Sequence, residues 1–171
     1  ERCVTLVNLQ DRLNSKVKTL SGGMIRRLGI AQAILNDPEL LFFDEPTAGL
    51  DPEERLRFKN IVSQLKGERT ILISTHIVED VETLCGCILV INDGRILAQG
   101  TCNEIQNLAA GKVYELREEQ KSLLSEPYHV QRLFERDGQK FLQILSSAFQ
   151  EHAIPIKPTV EDGYICILKK I

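Results

Sequence analysis

Residues 20–51 read LSGGMIRRLGIAQAILNDPELLFFDEPTAGLD, and the reading of this stretch decides the fold. Ser21 is a good helix N-cap. Gly22 and Gly23 leave the first-turn N–H groups uncovered, so an anion can approach a positive helix end, although an isolated Ser-Gly-Gly is usually only a cap. Met24, Leu28, Ile30, Ala31, Ile34 and Leu35 then recur at roughly helical spacing, with Arg26, Arg27 and Gln32 polar, which predicts a helix over 21–36. Asn36-Asp37-Pro38 stops it. The apolar run Leu40-Leu41-Phe42-Phe43 predicts a strand over 39–44, buried on both faces of a parallel sheet. It delivers Asp44 and Glu45 at its carboxyl end, where open α/β sheets place ligands. Two adjacent carboxylates there are costly to ionise without a cation or hydrogen bonds, which points to a metal or to catalysis.

The motifs LSGGM, FFDEP and AGLD, in this order and spacing, resemble the signature motif, Walker B strand and D-loop of the ATP-binding-cassette (ABC) ATPases. Ile71-Leu72-Ile73-Ser74-Thr75-His76 resembles the strand and switch histidine of the same family. The resemblance covers residues 1 to about 110 most strongly. It implies that Asp44 holds Mg²⁺, that Glu45 is the general base polarising the attacking water, and that His76 contacts the γ-phosphate of ATP. Ser21, Gly22, Gly23 and Met24 would bind the γ-phosphate of ATP held by a second ATPase subunit, and Asp51 would belong to the D-loop crossing that dimer interface. Read without the resemblance, His76 is a hydrogen-bonded histidine at a strand end and Asp51 a helix cap before Pro52. Met24 stands where glutamine is most common in the family, and LSGGM followed by Arg-Arg-Leu is read as an exporter-type marker.

With 171 residues, 43% of them hydrophobic, the chain fits one domain, or one domain with a small appendage. A formal charge of -3 gives no case for nucleic acid as a partner. No apolar run approaches the eighteen or so residues of a membrane span, and no signal peptide is visible. Five cysteines, two of them spaced Cys85-Gly86-Cys87, match neither a disulfide framework nor a C-x-x-C zinc pattern, and are read as reduced thiols of a cytoplasmic protein. Glu1-Arg2-Cys3 does not read as a natural start, and Val4, Leu6, Val7 and Leu9 read like the tail of a helix already under way. No G-x-x-x-x-G-K-[S/T] occurs in the sequence. The expectation is a segment without its phosphate loop, which by itself binds nucleotide poorly and hydrolyses almost none.

The remaining elements follow in order. Residues 1–10 are expected as helix and 11–19 as a polar connector. A helix over 52–66 turns Leu56, Phe58, Ile61, Val62 and Leu65 inward and ends at Gly67 in the left-handed position. A buried strand over 70–74 and a helix over 77–85 complete a parallel sheet with crossover helices. Asn92-Asp93-Gly94 makes a hairpin of 87–91 and 95–99, and Thr101 with Glu104 forms a capping box. The segment NDGRILAQGT resembles the closing hairpin of the ABC catalytic core. The fold class is thus α/β: a C-terminal part of an ABC ATPase domain over 1–110, and a small α+β accessory domain over 111–171. The latter is expected in β-α-β-β-α-β order, with helices over 118–125 and 146–152. Its tail PTVEDGYICILKK resembles the P-[ST]-L-E-D-x-[FY]-L tail of type-2 ABC exporter ATPases; residues 158–171 are read as helix, with a strand as the alternative because Gly163 and the β-branched residues around Cys166 are poor helix formers.

The resemblance implies an ATPase subunit of an ABC transporter, an exporter by its tail. It would work as a dimer with a second ATPase subunit, on the inner face of the cell membrane, against a membrane permease. Two readings compete: a lobe of a chromosome-structuring or DNA-repair ABC ATPase, and a non-catalytic domain whose appendage dimerises. Lobes of the first kind usually follow a long coiled coil and lack the hairpin and the exporter-like tail.

Overall fold

Side-chain caps and hydrophobic spacing set the helices of the computed structural model, which describes residues 1–67 and 69–171. The chain divides into two compact units, Glu1–Leu84 and Cys85–Ile171. The boundary expected near residue 110 therefore falls inside the second unit. The β3–β4 hairpin and helix α5 described below are grouped with the C-terminal elements, and α5 packs on the last helix.

In the first unit, α1 spans Arg2–Leu6. It is shorter than the helix expected over 1–10, because Asn8 turns left-handed at φ 54°. Helix α2 spans Gly22–Ala33, β1 Leu40–Asp44, α3 Pro52–Leu65, β2 Thr70–Ser74 and α4 Val78–Leu84. Strands β1 and β2 pair in parallel, Leu40 opposite Thr70 through Asp44 opposite Ser74. The fourteen-residue α3 connects them, as a parallel pair requires. Phe58, Ile61, Val62 and Leu65 of α3 are buried, and Phe58 meets Phe43 of β1 edge-to-face at 5.7 Å.

Three expectations are corrected here. Leu56 is exposed, on the outer side of α3. Gly67 lies at φ 156°, because α3 ends with Lys66 extended instead of in a left-handed cap. Strand β1 is covered on one face only: Leu41 is buried, while Leu40 and Phe42, with Leu72 of β2, are 50%, 66% and 45% exposed. Alternation along a strand puts Leu40 and Phe42 on the face opposite Leu41, and that face of this two-stranded sheet is bare among the described residues.

In the second unit, β3 (Ile88–Asn92) and β4 (Arg95–Gly100) form an antiparallel hairpin. Its turn residues Asp93 and Gly94 have φ 48° and 72°, the geometry for which Asp-Gly is favoured. Helix α5 (Cys102–Asn107) opens on the expected capping box, with Thr101 and Glu104 bonded reciprocally. Strands β5 (Val113–Arg117), β6 (His129–Arg136), β7 (Gln139–Leu145) and β8 (Ile154–Pro155) form one sheet in the order β6-β7-β5-β8. Every pairing in it is antiparallel, and the third of the four strands, β7, lies between the second and the first, as in a split βαβ sheet; the expected helices are what differ. Residues 118–123 form a 3-10 helix, and 146–152 form no helix. In that stretch the buried Gln150 amide donates to the Ser125 carbonyl at 2.7 Å and accepts from the Ser125 N–H at 2.9 Å.

The tail is a helix, α6 (Val160–Lys169), opened by a second capping box of Thr159 and Asp162. Gly163, a poor helix former, serves close packing here. A Cβ there would lie 1.9 Å from the Ile105 carbonyl oxygen of α5. Two apolar clusters lie within this unit: Ala109, Val113, Leu145 and Cys166 in one, Tyr114, Leu116, Leu142 and Ile144 in the other. Period-two alternation along β5 and β7 divides Val113 and Leu145 from Tyr114, Leu116, Leu142 and Ile144.

Candidate functional site

The parallel register sets the site. Asp44 ends β1 opposite Ser74, the last residue of β2, and the Ser74 hydroxyl donates to Asp44 Oδ1. One residue on, the Glu45 N–H donates to the Ser74 carbonyl at 3.0 Å, which extends the ladder one step beyond the strand. Glu45 itself is left-handed, at φ 43°. A non-glycine residue in that region is unfavourable and is held there by its surroundings. The turn fixes it: the Ala48 N–H donates to the Glu45 carbonyl at 3.2 Å, and Arg26 of α2 donates to the Pro46 carbonyl at 2.8 Å.

This backbone aims the Glu45 carboxylate at His76, whose Nδ1 lies 2.9 Å from Oε1. With Nδ1–H donating to the carboxylate, Nε2 of this exposed ring is left for a second partner. Glu45 Oε2 is buried and has no hydrogen-bond partner. The structure thus brings Asp44, Glu45 and His76 together. Asp44 is exposed, because the sheet face beside it is bare, so the burial expected from sequence falls on one oxygen of Glu45 alone.

The Ser-Gly-Gly turn forms the predicted N-terminus of α2, where Ser21 Oγ accepts from the Met24 N–H at 3.3 Å. Gly22 has open space where a Cβ would stand. Gly23 does not: a Cβ there would meet the Glu54 carboxyl carbon at 2.7 Å. Asp51 caps α3, accepting from the Glu54 N–H at 2.8 Å ahead of Pro52. Replacing it by Ala should cost about 1 kcal/mol, the usual loss for a cap, and Asn should restore most of it; thermal melts of the two variants check this. Ser21–Met24 and Asp51 therefore belong to two helix starts joined through Glu54, whose carboxylate also lies 3.1 Å from Arg27 Nε.

Several residues of this framework were not singled out by the sequence reading. Arg27, assigned to the polar side of α2, is 5% exposed and donates to the Val7 and Asn8 carbonyls at 2.9 and 3.0 Å. Thr47 and Asp80 are both buried, the Thr47 hydroxyl donating to Asp80 Oδ2 at 2.6 Å. Lys59 Nζ sits 3.0 Å from Asp80 Oδ1 and 3.2 Å from Glu79. Burial opposes the charge on Lys59, but the hydrogen bonds to Asp80 and Glu79 outweigh it and raise the lysine above its usual range. No local pattern marks such residues, since each is recognisable only by a partner about 20 or more positions away.

Among the described residues no cluster of three or more His, Cys, Asp or Glu side chains could enclose a metal ion. The exposed Asp44 carboxylate is a hard oxygen donor of the kind Mg²⁺ takes, an ion that keeps water ligands and is shared with substrate phosphates. No described helix is long and apolar enough to cross a membrane.

With this geometry in view, comparison with known proteins is specific. Residues 1–48 match the ABC transporter family model. The Nod factor export ATP-binding protein I of Cupriavidus pinatubonensis is 46% identical over 98 residues, 57% of this chain and 30% of that protein. Its namesake in Cupriavidus metallidurans is 44% identical over 105 residues, 61% of this chain and 35% of that protein. That of Rhizobium johnstonii is 48% identical over 93 residues, 54% and 30% of the two chains. Among solved structures, a bacterial Atm1-family ABC exporter with ATP bound aligns with a TM-score of 0.53 and 22% identity, over 62% of this chain and 20% of that one; at this identity the likeness is one of fold. Over the matched part, the chain is similar to ABC transporter ATPases. It spans about a third of the length of these curated relatives.

Proposed function

We propose that this chain supplies the hydrolytic carboxylates and the ATP-contacting helix start of an ABC exporter ATPase. The observation that carries the reading is Glu45. It is held left-handed after β1, with one carboxylate oxygen on His76 and the other buried without a partner. A carboxylate oriented by a neighbour and left with an unused oxygen suits a general base for water. In this reading Glu45 accepts the proton of the attacking water, and His76 orients Glu45 and contacts the γ-phosphate. Asp44 would hold Mg²⁺, whose positive charge would offset that of the β- and γ-phosphates. Ser21, Gly22, Gly23 and Met24 engage the γ-phosphate of ATP bound by a second ATPase subunit, with Asp51 at the same interface. The export direction is favoured by relatives named for export. A membrane permease at the cytoplasmic face is the accompanying partner.

The phosphate loop comes from outside these 171 residues, since no G-x-x-x-x-G-K-[S/T] occurs among them. The bare apolar face of Leu40, Phe42 and Leu72 supports the same view, because parallel sheets are ordinarily covered on both faces. The expected result is that the 171-residue chain alone shows no Mg-ATP turnover. The assembly that adds the phosphate-loop part should hydrolyse ATP. Phosphate release by the isolated chain above that of Glu45→Gln would contradict the first statement, and a silent assembly the second.

A further inference from the structure

The turn that holds Glu45 and the segment that carries His76 are joined inside the first unit by a buried contact that the proposed chemistry does not use. Thr47 lies two residues after Glu45, and Asp80 lies four residues after His76. Their side chains are 1% and 2% exposed and meet at 2.6 Å. The second Asp80 oxygen is taken by Lys59 of α3 at 3.0 Å, so the carboxylate is fixed from both sides. Asp80 is also seated by its own backbone, its N–H donating to the Ile77 carbonyl at 3.1 Å, and Ile77 in turn donates to Thr75 Oγ1 at 3.1 Å. On the other side, the Leu50 N–H donates to the Thr47 carbonyl at 3.1 Å and the Ala48 N–H to the Glu45 carbonyl. Asp80 is therefore linked through Thr47 and through its own helix start to the segments that carry both ends of the 2.9 Å contact between Glu45 and His76.

We propose that Asp80, held by Lys59 and bonded to Thr47, is a positioning residue that sets the distance and orientation of the Glu45–His76 pair. The cation beside Asp80 is Lys59, which also meets Glu79; a buried carboxylate with a single cation and one hydroxyl is costly to disturb. This inference rests on the reading that the pair serves ATP hydrolysis, and the test separates the two.

Thr47→Val removes the hydroxyl while leaving Asp80 with Lys59, Thr47→Ser restores a hydroxyl, and Asp80→Asn keeps the shape but discharges the pair. In the assembled ATPase, Thr47→Val and Asp80→Asn should lower kcat about tenfold or more through misplacement of the reacting groups. The KM for ATP should be unchanged, because ground-state contacts are not touched, and Thr47→Ser should recover most of the loss. A Thr47→Val enzyme with the parent's kcat, beside an inactive Glu45→Gln, would overturn the proposal. So would a loss shared equally by kcat and KM.

If the parent assembly hydrolyses no ATP, the functional reading fails and amide hydrogen exchange on the 171-residue chain decides the positioning claim. In Thr47→Val the Glu45 and Ala48 amides should exchange faster, with the β2 amides paired to β1 unchanged and Thr47→Ser like the parent. Equal exchange at Glu45 and Ala48 in all three chains would sink it.

Discussion

Glu45→Gln should reduce ATP turnover by the assembled ATPase by about 10²–10⁴-fold, the usual contribution of a positioned general base. The amide keeps the size of the side chain and can still hydrogen-bond His76 Nδ1, now 2.9 Å from Oε1. It cannot accept the water proton. The left-handed backbone at Glu45 is fixed by main-chain bonds to Ser74 and from Ala48, so the substitution leaves the turn in place. Nucleotide binding should persist, and single-turnover assays should show ATP retained unhydrolysed. His76→Ala should give a smaller loss if the histidine mainly orients Glu45. Turnover by Glu45→Gln equal to that of the parent would remove Glu45 from the reaction.

Gly163→Ala should be the most damaging single-methyl change in the second unit. The added Cβ would stand 1.9 Å from the Ile105 carbonyl oxygen and 2.7 Å from its carbonyl carbon. These are main-chain atoms of α5, which no side-chain rotation can clear. Helix α6 would have to withdraw, loosening Val160 and Cys166 and the buried contact between Gln143 Nε2 and Asp162 Oδ1 at 2.7 Å. Overpacking of this kind costs about 1–3 kcal/mol and occasionally more, and a contact with backbone argues for the upper end. Chemical denaturation followed by circular dichroism checks it. Ala at Gly22, where nothing stands within 4 Å, is the comparison, and equal midpoints for the two variants would contradict the packing argument.

The elements legible in the sequence were those whose cause is local. Ser21, Asp51 and Thr101 announced helix starts because a capping oxygen and its N–H lie within three residues. Asp93-Gly94 announced a hairpin because its φ values suit those residue types. The clustering of Asp44, Glu45 and His76 was implied by the family resemblance, and parallel pairing of β1 with β2 is what brings the three together. The readings that failed or stayed open concerned partners far along the chain. Gly163, a poor helix former, left the tail open between helix and strand, and the close passage of α5, which admits no side chain there, accounts for a glycine inside the helix. Residues 146–152 were expected as a helix, but the Gln150 amide binds Ser125 instead.

By itself, then, the sequence determined the caps, turns and strand positions, along with the order and spacing of the carboxylates and histidine, because each depends on neighbours a few residues away. Tertiary structure alone decided which face of β1 is covered, that Arg27 and Asp80 are buried, and which oxygen of Glu45 is engaged. Burial and hydrogen-bond pairing depend on what other segments bring into contact, and no window along a single chain records that.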